Sequence, residues 1–305
     1  MPNFMKSGSP FAARFALLPA RAPLILSGPD AVSFLQGLVS NDVEKAAPGQ
    51  AVYAALLTAQ GKFQYDFFVV ALPETSGGGL VLDAEAARLT DLAKRLKLFK
   101  LRAKVAIEPA PDLVVAAVWG DGAEQALSVE GIAYVDPRLA AAGVRLILPA
   151  RDATDLLRRC GFAEATEADY DAHRLSYGLP DGSRDIEVDK AVLLECGFEE
   201  LHGVDFAKGC YMGQELTART KYRGLVKKRL LPVAIEGDAP PAGTPITLDG
   251  RDAGELRSAR GQAGIALIRL DAFDKARIEG LPLMAGSVPL SAWTPEWMSL
   301  PAKDE

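Results

Sequence analysis

Histidine and cysteine are scarce in this chain: two and three among 305 residues. His173 and His202 are too few for a zinc site of familiar spacing, and no two cysteines form CxxC. Cys160, Cys196 and Cys210 leave one thiol over under any disulfide scheme. That excludes a disulfide scaffold and leads to the expectation of a reducing, cytoplasmic setting. No apolar run approaches the roughly 20 residues that cross a bilayer, and no membrane partner is expected. The first 26 residues contain no acid, a composition faintly like a transit peptide. Pro10, Pro19 and Pro23 interrupt any amphipathic helix there, so a loose N-terminus leading into a strand is expected. Internal repeats and low-complexity tracts are absent.

What is present is ordinary globular material, 49% hydrophobic and 24% charged, long enough for two or three compact units. A net charge of −6 argues against a protein whose main business is gripping nucleic acid. Leu24–Leu26 reads as a strand, and Asp30 as the N-cap of a helix over Ala31–Leu38. Ala51–Leu57 and Phe63–Leu72 form an expected hairpin, and Leu80–Leu82 another strand. Between Ala84 and Leu98, Leu89, Leu92, Ala93 and Leu96 keep helical spacing; the basic face with Arg88, Lys94, Arg95 and Lys97 reads as solvated surface. Strands are expected at Lys104–Ile107, Leu113–Val118, Ala133–Val135 and Arg145–Leu148. Helices are expected at Ala153–Arg159 and Glu167–Tyr177, the latter between Thr166 as N-cap and Gly178 as C-cap. After Gly224 the short runs Leu230–Ile235, Thr244–Leu248, Gly264–Leu270 and Val288–Leu290 suggest a small barrel, with the boundary near residue 226.

The segment Lys208-Gly209-Cys210-Tyr211-Met212-Gly213-Gln214-Glu215 concentrates chemistry. A thiolate is both nucleophile and metal ligand, and Lys208 either biases Cys210 toward it or is plain surface. The flanking glycines allow close approach of a ligand. A buried structural cysteine is the bland alternative, but Lys, Gln and Glu are poor core residues. Cys160 follows a helix and reads as structural; Cys196 stands 14 residues before Cys210 and could approach it. Gln214 with Glu215 suits the donor and acceptor edge of a pterin, or, for Glu215, a helix N-terminus. From Leu216 to Arg229 six basic residues occur without an acid: Arg219, Lys221, Arg223, Lys227, Lys228 and Arg229. The default is a solvated basic strand. The functional options are a folate glutamate tail, an acidic partner or RNA, with Tyr222 the only aromatic to stack on.

KGCYMGQE, followed by Arg219, Lys221-Tyr222-Arg223-Gly224 and Lys227-Lys228-Arg229, resembles the signature of the YgfZ family. Those are folate-binding proteins implicated in iron–sulfur cluster assembly that share a fold with the glycine-cleavage T-protein, an aminomethyltransferase. Leu24-Ile25-Leu26-Ser27-Gly28-Pro29-Asp30-Ala31, Phe34-Leu35-Gln36-Gly37, Asn41-Asp42-Val43, Leu57-Thr58-Ala59-Gln60-Gly61-Lys62 and Asp66 are similar to the opening shared with T-proteins. The resemblance implies an α+β, T-protein-like fold: two intermixed α+β units over residues 1–225, then a small C-terminal β-barrel over 226–305. It implies tetrahydrofolate or a derivative as cofactor, with Asp66, Arg174, Tyr211, Gln214 and Arg223 as binding residues. It assigns the functional thiol to Cys210 beside Lys208. A lone cysteine cannot hold a cluster, so Cys210 would be a transient ligand of a cluster shared with assembly or client proteins.

Departures from T-proteins weaken any claim to their reaction. Ser176 stands in Arg174-Leu175-Ser176-Tyr177-Gly178-Leu179-Pro180 where they carry a folate-contacting glutamate. Tyr65-Asp66 replaces their paired aspartates, the first of which is catalytic, and a phenol is a poor carboxylate substitute at neutral pH. Gly197 takes a position where YgfZ relatives often have Asn, which puts one polar contact of that family in doubt. The expected role is therefore accessory rather than that of an aminomethyltransferase, which stays as the alternative beside an RNA-binding role linked to tRNA modification.

Overall fold

The structure, a computed structural model, describes residues 13–74 and 77–300. The expected loose N-terminus, Pro10 included, lies outside the described residues as far as residue 12. Strand formation begins earlier than expected, with β1 (Arg14–Leu17), whose Phe15 and Ala16 are fully buried. There follow β2 (Arg21–Ser27), α1 (Ala31–Gln36), β3 (Val52–Leu57), β4 (Phe63–Ala71), β5 (Leu80–Glu85), α2 (Leu89–Phe99) and β6 (Ala106–Pro109). A first sheet has the order β3-β4-β5-β2-β6. Alternation along β3 and β4 explains their unbroken apolar runs. Val52, Ala54, Leu56, Phe67 and Val69 pack toward α1 and α2, while Tyr53, Ala55, Leu57, Phe68 and Val70 pack toward a second sheet. Each large apolar side chain buried this way contributes about 1.5–3 kcal/mol. Leu89, Leu92, Ala93 and Leu96 form the buried stripe of α2, as their spacing implies. Asp30 does not cap α1; its carboxylate instead accepts the Lys104 backbone N–H at 2.6 Å, tying the entry of α1 to the segment before β6.

The second sheet recruits β1 beside β7 (Leu113–Trp119), β8 (Ile132–Val135), β9 (Val144–Pro149) and β10 (Ala163–Glu164), in the order β10-β1-β7-β9-β8. Helix α3 (Ala153–Arg159) buries Ala153 and Leu157. Helix α4 (Glu167–Ser176) starts with a full capping box: Thr166 Oγ1 accepts from Asp169 N at 3.1 Å, and Asp169 returns the bond. The short α5 (Gly182–Asp185) and α6 (Gln214–Tyr222) complete the intermixed region.

A closed barrel follows, ordered β11-β14-β13-β12-β15-β16. Its strands are β11 (Lys228–Ile235), β12 (Pro245–Leu248), β13 (Arg251–Arg260), β14 (Ala263–Arg269), β15 (Leu283–Ala285) and β16 (Val288–Ala292), with α7 (Leu270–Glu279) after β14. Pairing of β11 with β16 closes the ring and removes sheet edges. The architecture is the T-protein-like α+β arrangement with a barrel that was expected. Within the barrel region three elements were not expected: β13, β15 and α7. In β13 only Ala253, Leu256 and Ser258 are buried, and a bulge after Leu256 breaks the alternation a strand would otherwise display.

Candidate functional site

Cys210 is exposed, on an irregular segment that leads into α6. That segment is anchored upstream and downstream of the thiol. Asp205 Oδ1 accepts the backbone N–H groups of Ala207 at 2.7 Å and Lys208 at 3.1 Å, and its other oxygen pairs with Lys45. Lys208 Nζ donates to the carbonyls of Gln36 at 2.8 Å, Val39 at 2.8 Å and Asn41 at 2.6 Å. An ammonium has three protons, and all three are taken. Lys208 therefore anchors the loop to the exit of α1 and is not plain surface. Burial lowers its ammonium to about 8. Because the folded value lies below that of a free lysine, burying the charge costs stability, and that cost is relieved as pH rises above 8. Lys208→Met should leave three carbonyls without their donor and speed amide exchange across residues 204–213 by about tenfold or more, as local opening becomes easier. Unchanged exchange would show that the lysine is ornamental.

Downstream, Tyr211 is buried in the main core under the Lys208 ammonium, 5.3 Å from its ring centre. Gly213 and Gly61 then face each other. Both have positive φ, +80° and +83°. A Cβ on Gly213 would meet Thr58 O at 2.5 Å and Gly61 Cα at 2.9 Å, and one on Gly61 would meet Gly213 O at 2.6 Å. The β3–β4 turn and the thiol loop are thus fitted backbone to backbone. Gly209 does something else: a Cβ there would meet nothing within 4 Å, which leaves open approach to the neighbouring thiol.

The basic run after the motif is divided rather than one strand: Arg219 and Lys221 lie in α6, Arg223 at its end, and Lys228 and Arg229 open β11. Glu215 lies exposed in the first turn of α6, 3.9 Å from Arg219, in keeping with a helix N-terminus. Gln214, half-buried, opens the helix behind Gly213. Lys221 pairs with Glu199, and buried Arg229 donates to Leu194 O at 3.0 Å and Glu200 at 2.7 Å. Arg223 ends α6 in solvent.

Three of the residues expected to bind folate, Arg174, Asp66 and Tyr211, are otherwise engaged. The Arg174 guanidinium is buried and donates to Asp171 and Asp185, each at 2.7 Å, to Leu179 O at 2.9 Å and to Ser258 at 3.1 Å. It clamps α4 and α5 to the barrel and has little left for a ligand. Asp66 is buried, accepts the Tyr53 hydroxyl at 2.8 Å, and is raised above its ordinary pKa by burial. Tyr211 belongs to the core. The cavity between the two sheets, lined by Arg21, Phe68, Arg138, Arg145 and Tyr170, measures only ≈ 30 Å³, about one water. Tyr65 lies under Arg88, 4.1 Å from its ring centre, and burial raises its phenol further from the ionised form. Ser176 Oγ donates to His173 O at 2.6 Å within its own helix. Gly197 is explained by backbone: φ is +77° at the end of a short turn, with Trp297 3.2 Å from where a Cβ would stand. Asn also tolerates that conformation, so the exchange need not signify a lost polar contact.

A second cavity, with no periodic or local sequence signal to announce it, has a volume of ≈ 330 Å³. Lys62, Glu195, Lys228 and Arg257 supply polar groups together with Asp185, Glu187 and Lys190, and Val192 and Leu230 part of its apolar wall. Burial raises the Glu195 carboxyl above its ordinary value, against the pull of Lys228 and Lys62. Arg257 Nε is buried without a hydrogen-bond partner. Cys196, in the same wall, is buried, and burial holds its thiol far above the ordinary range. All three cysteines are free. Cys160 is exposed rather than structural, because it ends α3 with its side chain outward. Among the described residues no group of three or more His, Cys, Asp and Glu is placed to hold a metal.

Comparison with known proteins places this geometry. Residues 22–130 match the GCVT N-terminal domain, and residues 227–300 match the C-terminal β-barrel domain of CAF17. A crystal structure of the glycine cleavage system aminomethyltransferase T from Bartonella henselae superposes with a TM-score of 0.74 over 94% of this chain and 87% of that one, at 16% identity, a likeness of fold. Mitochondrial iron–sulfur cluster assembly factors named IBA57 are similar along nearly the whole sequence. The Mus musculus protein is 35% identical, covering 94% of this chain and 86% of its own length. The Homo sapiens protein is 33% identical, covering 92% and 84%. The mitochondrial naming of these relatives points away from the cytoplasm and overturns that expectation; scarce cysteines report a reducing environment, not an address. The YgfZ resemblance was to a related family, and on these matches the chain belongs to the IBA57 family of iron–sulfur cluster assembly factors.

Proposed function

We propose that this chain assists iron–sulfur cluster assembly by offering the Cys210 thiol to a cluster whose other ligands belong to a partner. The observation that carries this reading is the exposed thiol on a loop tied down by Asp205, Lys208 and Gly213. One cysteine falls short of the four ligands a cluster takes, so the cluster is cargo in transit and the partner an assembly or client protein. A fixed loop lowers the ordering cost of adding one ligand to a site that is already mostly filled. The name of the relatives, assembly factor, supports the same direction. Removal of the chain from cells should lower the activity of iron–sulfur enzymes while cluster-free enzymes keep theirs; unchanged iron–sulfur enzymes would sink the reading.

For reduced folate, the expected cofactor, the proposed place is the ≈ 330 Å³ cavity rather than the residues first assigned to it. Glu195 can accept from the amide-like edge of a pterin, Val192 and Leu230 can cover its faces, and Lys62 and Lys228 can meet carboxylates of the glutamate tail. When bound, a reduced folate supplies a one-carbon carrier or a reductant. Titration calorimetry should show tetrahydrofolate binding to the wild-type chain and at least about tenfold weaker binding to Lys62→Met/Lys228→Met, since hydrogen bonds to charged groups contribute about 1.5–3 kcal/mol. No heat with wild type, or equal affinity in the variant, would remove folate from the account. Aminomethyl transfer is not favoured, because Tyr65 is a neutral phenol under Arg88. RNA binding is not carried forward: Lys221 and Arg229 of the basic run are committed to Glu199 and Glu200.

A further inference from the structure

Between Lys94 and Lys104 the chain holds six cations and no acid, in a protein of net charge −6. They are Lys94, Arg95, Lys97, Lys100, Arg102 and Lys104, at the end of α2 and in the turn that follows. Lys94 pairs with Asp91 at 3.6 Å, and Arg95 lies over the Phe99 ring. The other four have no ion-pair partner among the described residues. Between them stand Leu98 and Leu101, 72% and 89% exposed. Leu101 has φ +43°, a conformation L-residues seldom adopt, and marks the tip of the turn. Lys94 and Lys97 are exposed, as the helical pattern of α2 implied, but two large apolar side chains this exposed beside them are more than a solvated basic face.

We propose that this tip docks on an anionic phospholipid surface. Leu98 and Leu101 enter the boundary between headgroups and acyl chains, and Lys97, Lys100, Arg102 and Lys104 meet lipid phosphates. Lysine and arginine suit this arrangement, because their aliphatic stems lie along the apolar layer while the charge stays at the headgroups. A protein partner is the weaker fit. Lysine is depleted at protein interfaces, leucine is under-represented among their hot spots, and the one aromatic here, Phe99, is half-buried beside Arg95. The contact is peripheral, since no described helix is long and apolar enough to cross a membrane.

Co-sedimentation of the full chain with vesicles tests this. Phosphatidylcholine vesicles containing phosphatidylglycerol should retain the protein, pure phosphatidylcholine should not, and raised salt should release it by screening. Leu98→Ser/Leu101→Ser should weaken retention by about tenfold or more, because the apolar area it withdraws is lost from the lipid. Lys97→Gln/Arg102→Gln should do likewise through the lost attraction. Both pairs lie at the surface, so melting temperatures should match wild type. Leu225→Ser, an exposed apolar residue beyond α6, should change nothing. Failure of mixed vesicles to retain wild type would overturn the proposal. So would retention indifferent to the two leucines, or equal binding to soluble polyglutamate, which would mark the tip as a charge-seeking surface for an acidic chain.

Discussion

Cys210→Ser should reduce the activity of iron–sulfur enzymes to the level of cells without the chain, while the purified variant melts within about 2 °C of wild type. The exchange swaps one atom on an exposed side chain with no packing to lose. A serine hydroxyl does not ionise near neutral pH and makes a poor iron ligand, whereas a thiolate is the form that metals bind. The loop itself should be undisturbed, because its anchors are Asp205, the three carbonyls under Lys208 and the Gly61–Gly213 contact. Cys160→Ser, also at an exposed position but at the end of α3, is the internal control and should complement fully. Full complementation by Cys210→Ser would detach the thiol from the function.

The second large effect concerns stability. Asp83 of β5 is fully buried and joins the two sheets. It accepts Arg21 Nε at 2.8 Å from β2, and Arg145 at 2.6 Å and the Tyr134 hydroxyl at 2.9 Å from the second sheet. Asp83→Ala would leave two buried guanidiniums without their carboxylate, which costs about 3–5 kcal/mol. In a chain of this size that should lower the melting temperature by about 5–8 °C. Burial pushes the Asp83 carboxyl up, but Arg145 and Arg21 outweigh it and hold it below the ordinary value. Its contribution is therefore present above pH ~4 and lost as pH falls through the folded value, so wild type should lose stability faster than Asp83→Ala on acidification. Near-wild-type melting of Asp83→Ala would mean that apolar packing alone holds the sheets together.

Elements whose apolar pattern is local were legible: the β3–β4 hairpin, the buried stripe of α2, and four of the barrel strands, and so was Thr166 as the cap of α4. The exposure of Cys210 was legible because the Lys, Gln and Glu around it are poor core material. What escaped depends on distance in sequence. Asp83 looks like a flaw in an apolar strand until Arg145 and Tyr134 arrive from residues 62 and 51 positions away. Arg174 suggests ligand binding until its guanidinium is found clamped between Asp171, Asp185 and Ser258. Lys208 was read by adjacency to the thiol, yet its side chain reaches the end of α1, about 170 residues back, as a donor seeking unpaired carbonyls does. The cavity of Lys62, Glu195 and Lys228 unites three segments that no period links.

The account depends on the sulfur of Cys210 being presented outward from a folded chain. Brief alkylation with iodoacetamide under native conditions, read residue by residue by mass spectrometry, tests that directly. Cys210 and Cys160 should be modified while the protein stays folded, and buried Cys196 only after denaturation. An unmodified Cys210 in the native protein would contradict the account.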